Sequence, residues 1–122
     1  MNIIIADDSA FVRSIISRAI STAIPDAKLT FCTNGKEAYD TYTELKSDWL
    51  ITDLLMPEMS GQELLLKLDQ DGTKVKTIVI SADVQKGTKV ELEAFGIVKF
   101  INKPLTSDKI GELIELLKDE NL

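Results

Sequence analysis

The chain has 122 residues, 44% of them hydrophobic and 28% charged, enough to bury a core without disulfides or metal staples. A formal net charge of −6 argues against a nucleic-acid partner, and a single cysteine, Cys32, excludes an intrachain disulfide and suits a reducing compartment. With no signal-peptide pattern and no apolar run near the ~20 residues that span a bilayer, a soluble, cytoplasmic protein without membrane insertion is expected.

In chain order, the pattern alternates. Asn2-Ile3-Ile4-Ile5-Ala6 is a β-branched strand that stops at Asp7-Asp8. Asp8 or Ser9 then caps a helix with Val12, Ile15, Ile16, Ala19, Ile20 and Ala23 at helical spacing, ended by Pro25-Asp26. Lys28 to Cys32 reads as a second strand. Asn34-Gly35 turns into a second helix marked by Ala38, Tyr42 and Leu45. Trp49 to Asp53 is a third strand, apolar until its final carboxylate and broken soon after by Pro57. Leu64, Leu65 and Leu68 mark a third helix between Ser60-Gly61 and Asp71-Gly72. Lys76 to Ser81 is the fourth strand, Val84 to Phe95 a helix weakened by Gly87 and Thr88, and Val98 to Ile101 a short fifth strand ending near Lys103-Pro104. Ile110, Leu113, Ile114 and Leu117 form the stripe of the last helix. Five strands each followed by a helix imply one α/β domain over residues 1–122, with right-handed crossovers, a parallel sheet and helices on both faces.

The polar residues fall at the strand ends. Asp7 and Asp8 close strand one, Asp53 strand three and Ser81 strand four, and Lys103 follows strand five. Open parallel sheets bind ligands outside their carboxyl ends, where strand order reverses. If strands one and three are neighbours, three acids, a hydroxyl and an ammonium meet in one crevice. The acids would repel one another, and an oxygen-only donor set without histidine favours Mg²⁺ or Mn²⁺ over zinc. Each residue alone has a plainer reading: Asp53 as a loop acid met by turn amides, Asp7-Asp8 as a cap, Ser81 as a turn, Lys103 as a solvated tip.

Ala6-Asp7-Asp8-Ser9, Asn34-Gly35-Lys36-Glu37-Ala38, Thr52-Asp53 with Met56-Pro57-Glu58-Met59-Ser60-Gly61, Ser81-Ala82, Gly96 and Lys103-Pro104 follow one another in an order that resembles the receiver domain of bacterial response regulators, in the CheY-like single-domain style. The resemblance covers essentially the whole chain and implies the flavodoxin-like strand order 2-1-3-4-5. It implies Asp53 as phosphoacceptor, with Mg²⁺ held by Asp7, Asp8, Asp53 and the backbone carbonyl of Leu55. Lys103 and Ser81 would contact the phosphoryl oxygens, and a cis peptide before Pro104 would aim Lys103 inward. On phosphorylation Ser81 would be drawn to the phosphoryl group and Phe100 would rotate into the vacated space, changing the face made by the fourth helix, fifth strand and fifth helix. The chain would catalyse only its own phosphorylation and dephosphorylation.

Several positions depart from the family's commonest residues. Ser81 stands for a frequent threonine, Phe100 for a tyrosine, and Ser60 for an Asp to which little consequence attaches. Leu55 and Asp83, two residues after Asp53 and Ser81, would flank the phosphoryl group with opposing effects on its lifetime. The implied partners are a histidine kinase or histidine phosphotransfer protein and a downstream protein, such as a flagellar motor switch or a phosphatase in chemotaxis, met by a monomer. The chain ends soon after the fifth helix, at Asn121-Leu122, which suits a single-domain regulator or the receiver part of a longer protein. A receiver serving as a constitutive interaction module is the alternative. An Mg²⁺-dependent aspartate-nucleophile phosphohydrolase is less favoured, because Leu55 stands where that class places a second acid and the chain is too short for a cap.

Overall fold

The computed structural model describes residues 1–82 and 85–122. Val84, the expected start of the fourth helix, and Asp83 lie outside them. Among the described residues the order is β1 (Asn2–Ala6), α1 (Ala10–Ala23), β2 (Lys28–Cys32), α2 (Gly35–Leu45), β3 (Trp49–Thr52), α3 (Gly61–Gln70), β4 (Lys76–Ser81), α4 (Lys86–Ala94), β5 (Lys99–Asn102) and α5 (Ser107–Lys118). The strands form one parallel sheet in the order β2-β1-β3-β4-β5.

Alternation along the strands divides the core in two. Ile4, Ala6, Leu50 and Val79 pack with Ala38 and Tyr42 of α2, Leu64, Leu65 and Leu68 of α3, and Leu92 of α4. Ile3, Ile5, Trp49, Ile51, Ile78, Ile80 and Ile101 pack with Ile16 and Ile20 of α1 and Leu113 and Leu117 of α5. A sheet covered on both faces explains why every residue of β3 is buried and why the central strands read as unbroken apolar runs.

Three boundaries differ from expectation. β3 ends at Thr52, one residue before Asp53, and α4 at Ala94, one before Phe95. β5 starts one residue late and takes in Asn102, because β4 is long enough for Ser81 to pair with it. The first helix ends before Pro25, as expected: it stops at Ala23, and Ile24 still donates to the Ile20 carbonyl but leaves helical backbone, as a residue before proline tends to do.

Register sets the carboxyl edge. Ala6 pairs with both Cys32 and Thr52, so Asp7 and Asp53 leave β1 and β3 at the same level. The ladder runs one bond past each strand: the Asp7 N–H donates to the Cys32 carbonyl (3.0 Å), Asp53 to Ala6 (2.9 Å) and Lys103 to Ser81 (2.9 Å).

Candidate functional site

The main chain therefore delivers Asp7, Asp53, Ser81 and Lys103 to one edge before any side-chain contact is counted. The side chains complete the arrangement. Lys103 Nζ lies 2.9 Å from Asp7 Oδ2 and 2.8 Å from Asp53 Oδ2, bridging carboxylates that are 2% and 6% exposed. Oxygens of Asp7, Asp8 and Asp53 lie within 4.8 Å of one another, with Asp8 on the solvent side. Oxygen donors in that arrangement fit a hard divalent cation such as Mg²⁺ or Mn²⁺.

Local structure holds each acid in place. Asp7 Oδ1 accepts from the Ser9 N–H (2.9 Å), while Ser9, the N-cap of α1, accepts from the Val12 N–H. Asp53 Oδ1 accepts from the Leu54 N–H at 2.6 Å, and the Leu55 N–H lies 3.4 Å away. The side chain of Leu55 is 65% exposed. Behind Asp53 the loop is braced by close packing that only glycine permits. A Cβ on Gly61 would lie 2.1 Å from the Asp53 carbonyl oxygen, and one on Gly35 2.4 Å from that of Met59. The Gly35 N–H donates to the same Met59 oxygen at 2.9 Å. Within this loop Glu58 takes a left-handed backbone (φ 64°), uncommon for a residue with a side chain.

The electrostatics follow from burial. Desolvation pushes the Asp7 carboxyl above the usual range and the Asp53 charge adds to this, while hydrogen bonds from Lys103 and the Ser9 N–H oppose it. Burial pulls the Lys103 ammonium down, but its hydrogen bonds to Asp53 and Asp7 and their charges outweigh that and hold it above the usual lysine value. Charging Lys103 while it bridges two acids is self-consistent.

Ser81 is fully buried at the end of β4 and joined to Lys103 through the main chain. The Lys103–Pro104 peptide is cis. Phe100 stands apart from the acids, half-buried against the α2–α4 side of the core with the Lys89 ammonium 5.1 Å from its ring centroid.

Two contributors, Arg13 and Lys89, were not singled out from the sequence, and a third, Ser60, was undervalued. Arg13 Nη1 donates to the Asp7 carbonyl at 2.6 Å, fastening the Asp7-Asp8 turn to α1. Lys89 joins α4 to β5. Ser60, given little consequence above, forms a reciprocal capping box with Glu63 and so fixes the start of α3 beside Asp53. Its Ser-x-x-Glu spacing was a readable signal; no spacing rule points to Arg13 or Lys89.

Comparison with known proteins agrees with this geometry. A family model, the response regulator receiver domain, matches residues 3–115. The chain is 32% identical over 115 residues to the chemotaxis protein CheY of Listeria monocytogenes, covering 94% of this chain and 96% of that one. It superposes on the response regulator domain of Thermotoga maritima CheB with a TM-score of 0.78 and 30% identity, over 96% of this chain and 90% of the other. A chain of the CheX–CheY–BeF₃–Mg²⁺ complex of Borrelia burgdorferi superposes with a TM-score of 0.85 over 98% of this chain and 90% of that one; at 23% identity this likeness concerns the fold alone.

Proposed function

The chain belongs to the response regulator receiver domain family, signalling modules of two-component systems, and on that premise we propose that it accepts a phosphoryl group on Asp53 and thereby switches its affinity for a protein partner. The observation that carries this reading is the Asp7–Lys103–Asp53 bridge, with Asp8 beside it, at the carboxyl ends of β1, β3 and β5.

The donor would be a phosphohistidine of a kinase or phosphotransfer protein. An Asp53 carboxylate oxygen forms the new O–P bond as the P–N bond breaks, and the departing imidazole takes up a proton. Asp7, Asp8, Asp53 and the Leu55 carbonyl would hold Mg²⁺, which when bound supplies positive charge to the phosphoryl oxygens. Lys103 would exchange its contact with Asp53 Oδ2 for one with a phosphoryl oxygen, staying charged throughout. The Ser81 hydroxyl would donate to a second oxygen, and its displacement would open the space for Phe100 to enter. The α4–β5–α5 face would then present a second packing to the partner, a population shift driven by the extra contacts of one state. A chemotaxis partner, a monomeric form, cytoplasmic location and a receiver unit spanning residues 1–122 belong to the same proposal. No helix of the described residues is long and apolar enough to cross a membrane, in keeping with it.

Intact-mass measurement after incubation with acetyl phosphate tests the reading. A single phosphoryl adduct that requires Mg²⁺ and is absent from Asp53→Asn is expected. A folded wild-type protein that takes up no phosphoryl group would refute the switch and leave a constitutive binding module.

A further inference from the structure

The fifth strand carries more chemistry on its α4 side than phosphoryl transfer uses. Phe100 and Asn102 are two residues apart on β5, so their side chains leave the same face of the sheet. Lys89, near the start of α4, reaches both. Its ammonium is 5.1 Å from the Phe100 ring centroid and 3.5 Å from Asn102 Oδ1, the outer limit of a hydrogen bond. An ammonium can only donate, so the carboxamide turns its oxygen to Lys89. Its Nδ2 is then left buried without a partner among the described residues.

On the opposite side of the sheet, Lys109 of α5 donates to the Asn102 carbonyl oxygen at 2.8 Å. Asn102 is therefore gripped by both flanking helices, one residue before Lys103 and directly opposite Ser81. Beside it, a cleft of about 280 Å³ between α4 and β5 is lined by Lys89, Glu93, Ile97, Val98, Lys99 and Phe100. The Phe100 ring thus lies between core and cleft, under a cation.

We propose that Lys89 is a positioning residue that clamps Phe100 and α4 in the resting packing and so sets how often the α4–β5 face visits its alternative. That a second packing exists rests on the receiver reading above; the contacts of Lys89 in the resting one do not. The cation over the ring favours the resting packing, by a factor of about 2–5 in an equilibrium constant at a partly exposed site.

The test places 4-fluorophenylalanine at position 100 of the full chain and measures ¹⁹F relaxation dispersion on the unphosphorylated protein. Lys89→Met keeps an apolar stem over the ring but removes the charge. It should raise the population of the minor Phe100 state about 2–5-fold, the same factor as the lost attraction. Lys89→Arg restores a cation over the ring and should match wild type. Equal populations in all three proteins, or an Arg variant that moves as far as Met, would overturn the clamp. Acetyl phosphate labelling of the same samples separates this from the receiver reading. An adduct with three equal populations refutes the clamp and leaves the receiver intact. No adduct with a Phe100 shift confined to Met refutes the receiver and leaves the clamp.

Discussion

Gly61→Ala should damage the site through one methyl group. Gly61 opens α3, and its added Cβ would lie 2.1 Å from the Asp53 carbonyl oxygen, 2.9 Å from Leu54 Cα and 3.0 Å from the Asp53 carbonyl carbon. All three are backbone atoms, and ordinary contact begins at 3.4 Å, so helix or turn must move by about an ångström. The Gly61 N–H donates to the Leu54 carbonyl at 2.9 Å, and a retreat of α3 stretches that bond. Alanine recovers up to about 1 kcal/mol of helix propensity. Against it stand about 1–3 kcal/mol of overpacking and about 1 kcal/mol for the weakened hydrogen bond. The net loss is about 1–3 kcal/mol, or roughly 4 °C in Tm for each kcal/mol in a chain of this size. The rate should suffer more than the stability, since a misplacement of about 1 Å at a reacting group can cost about 10²-fold. Thermal melting by circular dichroism and time-resolved mass measurement of the acetyl phosphate adduct read the two effects separately. A variant with wild-type melting and wild-type rate would refute the close-packing argument. A lowered Tm with an unchanged rate would show that α3 yields and Asp53 does not.

Gly111→Ala should act in the opposite direction. Gly111 sits inside α5 with nothing within 4 Å of the added methyl, so the variant should gain about 0.5–1 kcal/mol, visible as a raised Tm, with no change in adduct formation. In the ionic cluster the two single neutralisations should differ in sign: Asp53→Asn leaves a one-to-one Asp7–Lys103 pair and should be neutral or stabilising, whereas Lys103→Met leaves two buried acids uncompensated and should cost about 3–5 kcal/mol. Urea denaturation decides it, and an Asp53→Asn protein less stable than Lys103→Met would contradict the charge count.

The strands are legible in the sequence because a parallel sheet buried on both faces needs unbroken β-branched runs, and Ile3-Ile4-Ile5 and Ile78-Val79-Ile80 supply them. Asp7, Asp8, Asp53 and Lys103 are legible as a group for a related reason: a charged residue directly after such a run must emerge at the sheet edge. Asn102 is not legible as strand, since its pairing comes from the length of β4 and not from its own preference. Ser60 carries its capping-box spacing in plain view. Arg13 and Lys89 differ in kind. Their contacts depend on the distance between a helix and a strand brought together by folding, and nothing in the local pattern sets that distance apart from the many lysines and arginines that face water.

A buried ionic bridge is weak evidence for stability, because well-packed apolar side chains can hold the same space at least as well. Under the proposed phosphoryl transfer, the Asp7–Lys103–Asp53 bridge is the resting arrangement that an incoming phosphoryl group would displace. Lys103 would then have to trade partners, and its own N–H is tied to the Ser81 carbonyl, whose residue pairs with Asn102. A disturbance at the ammonium is therefore felt within one residue pair of the point where α4 and α5 grip β5. Contiguity alone does not couple two sites; coupling requires an element with two discrete arrangements that both sites bias. In the proposed switch that element would be the Phe100 ring, which has core on one side, a cleft on the other, and the Lys89 ammonium bearing on it.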